Sequence, residues 1–67
     1  MRIDRAKFAA AVAVADIRLG ELSAISGVSR STITAIRGGK SCTRETAEKI
    51  ATALGVSAST IEQTPDS

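Results

Sequence analysis

A glycine between two short amphipathic segments is the feature that most limits the fold of this chain. Leu22 and Ile25 lie three residues apart before Gly27. Ile33 and Ile36 repeat this step after it. Apolar residues at helical spacing indicate a buried helix face, and glycine commonly takes the left-handed backbone just past a helix end. The pattern therefore predicts two short helices that meet at a tight turn, with Leu22 and Ile25 both facing the core.

Capping residues and apolar spacing predict three more helices. Asp4, Thr43 and Ser57 are residue types that cap a helix start by accepting a backbone N–H. The buried stripes that follow are Phe8, Ala11, Val12 and Ala15 in the first helix, and Ala47, Ile50, Ala51 and Leu54 in the fourth. Gly55 should end the fourth helix, and Ile61 should anchor the last one. No strand pattern alternates with these segments, so the predicted fold is an all-α bundle of five helices.

The two helices of the glycine turn have definite predicted bounds. The first is expected over residues 19–26 and the second over residues 30–37. Ser29 should cap the second of them, and the pair Gly38 and Gly39 should stop it. Its apolar positions then face the core, which leaves the opposite side for a partner.

Length and composition exclude several classes of protein. A chain of 67 residues has room for one domain, with an expected stability of about 3–5 kcal/mol. One cysteine, Cys42, and no histidine leave no internal disulfide and no zinc site. The apolar run at residues 8–15 is far shorter than the roughly 20 residues that cross a membrane. We therefore expect a cytoplasmic protein with no metal, no cofactor and no membrane segment.

The motifs that would indicate an enzyme are absent or incomplete. Gly39, Lys40 and Ser41 match the end of a nucleotide-binding phosphate loop, but its first glycine would fall at Thr34. There is no nucleophile elbow and no pair of carboxylates in an evident cleft. Phe8 is the only aromatic residue and is assigned to the core, which disfavours single-stranded nucleic acid as a ligand. A binding protein is the remaining interpretation.

Positive charge is concentrated in one part of the chain. Residues 22–44 contain no acid and four of the nine basic residues, which are Arg30, Arg37, Lys40 and Arg44. The rest of the chain has five basic and seven acidic residues. A tight helix pair whose second helix opens with small polar and basic residues fits the major groove of DNA. Duplex DNA is therefore the expected partner.

The third helix and the segment after it provide the candidate contacts. Arg30 suits a bidentate contact to a guanine edge, while hydroxyls discriminate bases weakly. Lys40 lies in a flexible basic hinge whose exposed backbone amides suit a phosphate oxygen. The complete set of candidate DNA contacts is Arg30, Ser31, Thr32, Thr34, Arg37, Lys40, Ser41, Thr43 and Arg44. The alternative for each charged residue is an ordinary solvated surface position.

These motifs resemble the helix-turn-helix domain of Cro/CI-type phage repressors, the xenobiotic-response-element-like regulators. The resemblance covers residues 3–61, and its matching positions are Leu22, Gly27, Val28, Ser29, Ser31, Thr32, Ile33, Ile36, Gly39, Lys40, Ile50, Ala51, Leu54, Gly55 and Val56. It implies a five-helix, lambda-repressor-like domain over residues 1–62, followed by a polar tail at 63–67. A bacterial or phage-encoded regulator that binds duplex DNA, usually as a homodimer on a two-fold operator, is then expected. The family's base-reading positions fall on Arg30, Ser31 and Ala35.

Some positions depart from the pattern of the family. Leu19 stands where the family typically has a glutamine that binds a phosphate, and Arg37 and Val12 stand where it often has a Glu–Arg pair. With Ala35 on the neighbouring helix, Leu19 would extend an apolar patch. This patch favours an alternative function, in which the chain is an antirepressor or modulator that binds a partner protein such as the cognate repressor.

Overall fold

A computed structural model of the chain describes residues 1–63. The helices are α1 (Arg5–Ala15), α2 (Leu19–Ser26), α3 (Arg30–Arg37), α4 (Arg44–Leu54) and α5 (Ala58–Ile61). The prediction of an all-helical fold is confirmed, and the bounds predicted for α2 and α3 agree with those observed. Most of the predicted tail lies outside the described residues, but the amide of Gln63 donates to the carbonyl of Arg2.

Most helix starts are capped by the predicted side chains. The Asp4 side chain accepts a hydrogen bond from the amide of Lys7 at 2.9 Å. Ser29 accepts one from the amide of Thr32 at 3.3 Å. Thr43 accepts one from the amide of Thr46 at 3.1 Å. Ser57 occupies the N-cap position of α5, but its hydroxyl contacts those of Ser59 and Thr60 at 3.0 Å instead of a backbone amide. Ser57 therefore caps by position and not by a side-chain hydrogen bond to the backbone.

Left-handed residues end three of the helices. Gly27 and Gly55 have φ angles of 75° and 77°, as their predicted role requires. Asp16 ends α1 in the same region with a φ angle of 55°, although it carries a side chain. Short polar residues such as aspartate tolerate this conformation better than apolar ones, so α1 ends without a glycine.

The core is built from large apolar side chains of all five helices. Those that are almost completely buried are Phe8, Leu22, Ile33, Ile36, Ile50 and Ile61. The prediction for Ile25 is wrong, because its side chain is 61% exposed. Val28, in the turn that follows α2, is buried against the core instead. Two serines hold its backbone: Ser23 Oγ donates to Val28 O at 2.7 Å, and Ser26 Oγ accepts from Val28 N at 3.2 Å.

The N-terminal segment, residues 1–3, closes the bundle in a way that the sequence pattern did not predict. Ile3 is buried and forms a single antiparallel bridge with Glu62. Met1 and Cys42 exchange two backbone hydrogen bonds of 2.8 Å each. The segment therefore connects the α3–α4 loop on one side with the end of α5 on the other.

Candidate nucleic-acid interface

The turn between α2 and α3 holds the outer face of α3 in a fixed orientation. Ile33 and Ile36 are buried on the inner side of α3, and Val28 anchors the turn. The bonds that Ser23 and Ser26 make to Val28 restrain the same turn from the side of α2. Because packing and hydrogen bonds act together, α3 presents its polar side as a rigid surface.

The outer face of α3 is exposed as predicted, but most of its hydroxyls already have partners. Thr34 Oγ1 donates to the carbonyl of Arg30 at 2.9 Å, so its proton is not available to DNA. The hydroxyl of Ser29 lies 2.7 Å from Thr32 Oγ1 and 3.4 Å from Ser31 Oγ. The Arg30 guanidinium, with five donors, is therefore the strongest donor group at the start of α3.

A cleft between α3 and the start of α4 gathers most of the smaller predicted contacts. Its volume is about 440 Å³. Among the predicted site residues it is lined by Ser31, Thr32, Ala35, Lys40, Ser41 and Thr43. Arg30, Thr34, Arg37 and Arg44 lie outside it. Burial raises the pKa of the Cys42 thiol in the same cleft, so this thiol is uncharged at neutral pH.

The prediction of a flexible hinge with exposed amides after α3 is wrong for three residues. The amides of Gly38, Gly39 and Lys40 donate to carbonyls of the last turns of α3, at 2.9–3.1 Å. The Cys42 amide donates to Met1. Consequently, the donors that this loop leaves for a phosphate are the side chains of Lys40 and Ser41, the Ser41 amide and the first-turn amides of α4.

The charged candidates differ in their surroundings. Arg44 Nε lies 3.6 Å from a carboxylate oxygen of Glu48, and both side chains are largely exposed. Within residues 1–63, no carboxylate lies within 4.0 Å of Arg30, Arg37 or Lys40. An exposed pair like that of Arg44 contributes little to stability, but it reduces the charge that Arg44 offers a phosphate. Arg30, Arg37 and Lys40 therefore provide most of the positive charge of this face.

Leu19 and Ala35, the predicted apolar patch, line different concavities. Leu19 is half-buried in a groove of about 400 Å³ that it shares mainly with side chains of α1. Val12, Arg18 and Arg37 line the same groove. Ala35 lines the α3–α4 cleft. An apolar groove bordered by two guanidinium groups therefore takes the place of one continuous patch.

Arg2 and Arg5 are basic residues of this region that the sequence analysis missed. A Cβ atom added to Gly39 would lie 3.5 Å from Arg5 Cδ, so the Arg5 side chain crosses the end of α3. Arg2 and Arg5 both line a recess with Gly38 and Gly39. Arg2 and Arg5 are far from Gly39 in the sequence, and the packing of α1 on α3 brings them close to it.

Five helices with a tight α2–α3 turn and a basic outer face on α3 define a helix-turn-helix DNA-binding domain. The family model described as a Cro/C1-type HTH DNA-binding domain matches residues 12–67, and the chain belongs to this family. The resemblance found in the sequence is thereby confirmed. Neither the curated proteins nor the solved structures gave a significant match.

The family supports a role as a DNA-binding transcription regulator, and domains of this kind are typically not enzymes. In the part of the chain that the structure describes, no helix has the length and apolar character needed to cross a membrane.

Proposed function

We propose that this chain is a small Cro/C1-like transcriptional regulator that places α3 in the major groove of duplex DNA. The observation that carries this proposal is the rigid outer face of α3, where Arg30 has no carboxylate partner within residues 1–63. Buried Ile33 and Ile36 fix that face against the core. A fixed helix sets the position from which the Arg30 side chain extends, and a guanidinium presented from that position can contact one base edge in the groove.

The other residues of the site divide by chemistry. We assign Arg30 to a guanine edge and Ser31 and Ala35 to weaker base contacts. Lys40 and Thr43 border the α3–α4 cleft, where their side chains suit backbone phosphates that set the register on DNA. A homodimer on a two-fold operator fits this assignment, because one short helix reads too few base pairs for a specific site.

Two substitutions separate base reading from phosphate binding. A duplex selected from a random library and a scrambled duplex serve as ligands in fluorescence anisotropy. Arg30→Ala should lower the preference for the selected duplex by about 1–3 kcal/mol, or roughly 5- to 150-fold. Lys40→Ala should weaken both duplexes equally, because phosphates carry no sequence information.

Lys49→Ala is the matched control, since Lys49 is a cation of α4 that lies 3.6 Å from Glu45. It should leave both affinities unchanged. The proposal is wrong if the unaltered chain enriches no duplex from the library at low salt.

The groove around Leu19 supports a second candidate function, the protein-directed modulator. Its apolar lining and the guanidinium groups of Arg18 and Arg37 fit an acidic, amphipathic segment of a partner such as the cognate repressor. Leu19→Asp should then abolish co-purification with the co-expressed repressor, because a carboxylate would enter an apolar site. Val14→Asp is the control, since Val14 is 87% exposed and lies outside the groove. Equal co-purification of both variants would exclude the groove as the docking site.

A further inference from the structure

A recess lies beside the end of α3, outside the cleft that holds most of the residues assigned above. Its volume is about 580 Å³, and its lining includes Arg2, Arg5, Gly38 and Gly39. The Arg5 side chain lies beside Gly39, because a Cβ atom added to this glycine would be 3.5 Å from Arg5 Cδ. The φ angle of Gly39 is 103°, a backbone conformation that residues with a side chain rarely adopt.

The charge of this recess is positive and available. Within residues 1–63, neither Arg2 nor Arg5 has a carboxylate within 4.0 Å. Asp4 is the one acidic residue of the lining, and its Oδ1 accepts the amide of Lys7 as the cap of α1. Two guanidinium groups that share a recess can hold the oxygens of one phosphate in a bidentate manner.

The recess adjoins the loop assigned to phosphate binding, although it shares no lining residue with the α3–α4 cleft. The two hydrogen bonds between Met1 and Cys42 hold the N-terminal segment against the α3–α4 loop. Arg2 follows Met1 directly, and Lys40 follows Gly39 directly. Gly39 lines the recess and Lys40 lines the α3–α4 cleft, so the two cavities are neighbours along this loop.

We propose that Arg2 and Arg5 bind a further backbone phosphate and extend the DNA interface from the α3–α4 loop onto the N-terminal segment. This inference rests on the proposed function and adds two residues that neither the basic stretch at 22–44 nor the α3–α4 cleft contains. Each phosphate that a protein neutralises steepens the dependence of log affinity on log salt by about 0.9. The recess should thus appear in the salt dependence and leave the sequence preference unchanged.

The experiment measures affinity for the selected and scrambled duplexes at several salt concentrations, with a thermal melt of each variant. Arg2→Ala and Arg5→Ala should each weaken both duplexes about three- to tenfold, and the double variant should lower the salt slope by about 1. Arg5→Lys should retain part of the affinity, because it keeps the charge and loses the bidentate geometry. Lys49→Ala again serves as the control.

Three results would overturn the inference. An unchanged salt slope in the double variant would show that neither arginine binds a phosphate. A lower melting temperature of Arg5→Ala with unchanged affinity would show that Arg5 only stabilises the carbonyl end of α3. Absence of binding by the unaltered chain would refute the proposed function together with this inference, whereas the first two results leave the proposed function intact.

Discussion

Raising the salt concentration from about 50 to about 200 mM is expected to weaken duplex binding by this domain about 10²- to 10³-fold. The basis is a face whose main cations, Arg30, Arg37 and Lys40, have no carboxylate within 4.0 Å among residues 1–63. Such cations replace counterions on the DNA, and contact with roughly 4–6 phosphates gives a loss of this size. Anisotropy titrations at four salt concentrations, plotted as log affinity against log salt, would measure the slope.

A pair of lysine substitutions provides the control for this experiment. Lys40→Ala should reduce the slope by about 1, while Lys49→Ala should leave it as it was. A slope near zero in the unaltered chain would contradict the prediction, because it would mean that the basic face does not neutralise phosphates. The groove around Leu19 would then become the main candidate interaction site.

Phe8→Ala is expected to unfold a large fraction of the molecules at 25 °C. Phe8 is 1% exposed, and removal of a buried aromatic side chain costs about 3–5 kcal/mol. That cost is similar to the whole stability expected for a domain of this size, about 3–5 kcal/mol. Loss of the far-ultraviolet circular dichroism of helices, followed in urea, would measure the change.

Val14→Ala on the same helix provides the comparison. Val14 is 87% exposed, and alanine is the better helix former, so stability should change by no more than about 0.5 kcal/mol. After Lys7, the exposed residues of α1 are alanines and Val14, so hydropathy alone does not tell its two sides apart there. Equal destabilisation by both substitutions would mean that α1 packs through a different face.

Local chemistry made most of the fold predictable. The caps at Asp4, Ser29 and Thr43 and the left-handed Gly27 and Gly55 all depend on neighbours within a few residues, and all were predicted correctly. Such signals require no knowledge of tertiary structure. The positions of these helices along the chain follow from these local signals.

The errors arise mainly where distant parts of the chain meet. Ile25 has the right spacing for burial, but its side chain is exposed and Val28 is buried against the core. Ile3 is buried where the N-terminal segment pairs with Glu62 across the bundle. In the candidate site, the composition of α3 indicated the basic face, whereas the position of Arg5 beside Gly39 depends on packing that sequence spacing does not encode.

The pairing of the N-terminal segment also has a consequence for synthesis of the protein. The amide of Asp4 donates to the carbonyl of Ile61, and Arg2 accepts from Gln63. On a translating ribosome, residues 2–4 must therefore wait for residues 61–63 to be made before these bonds can close. Contacts between such distant residues form late and slowly, so the loop beside Cys42 acquires its final shape after the helices themselves.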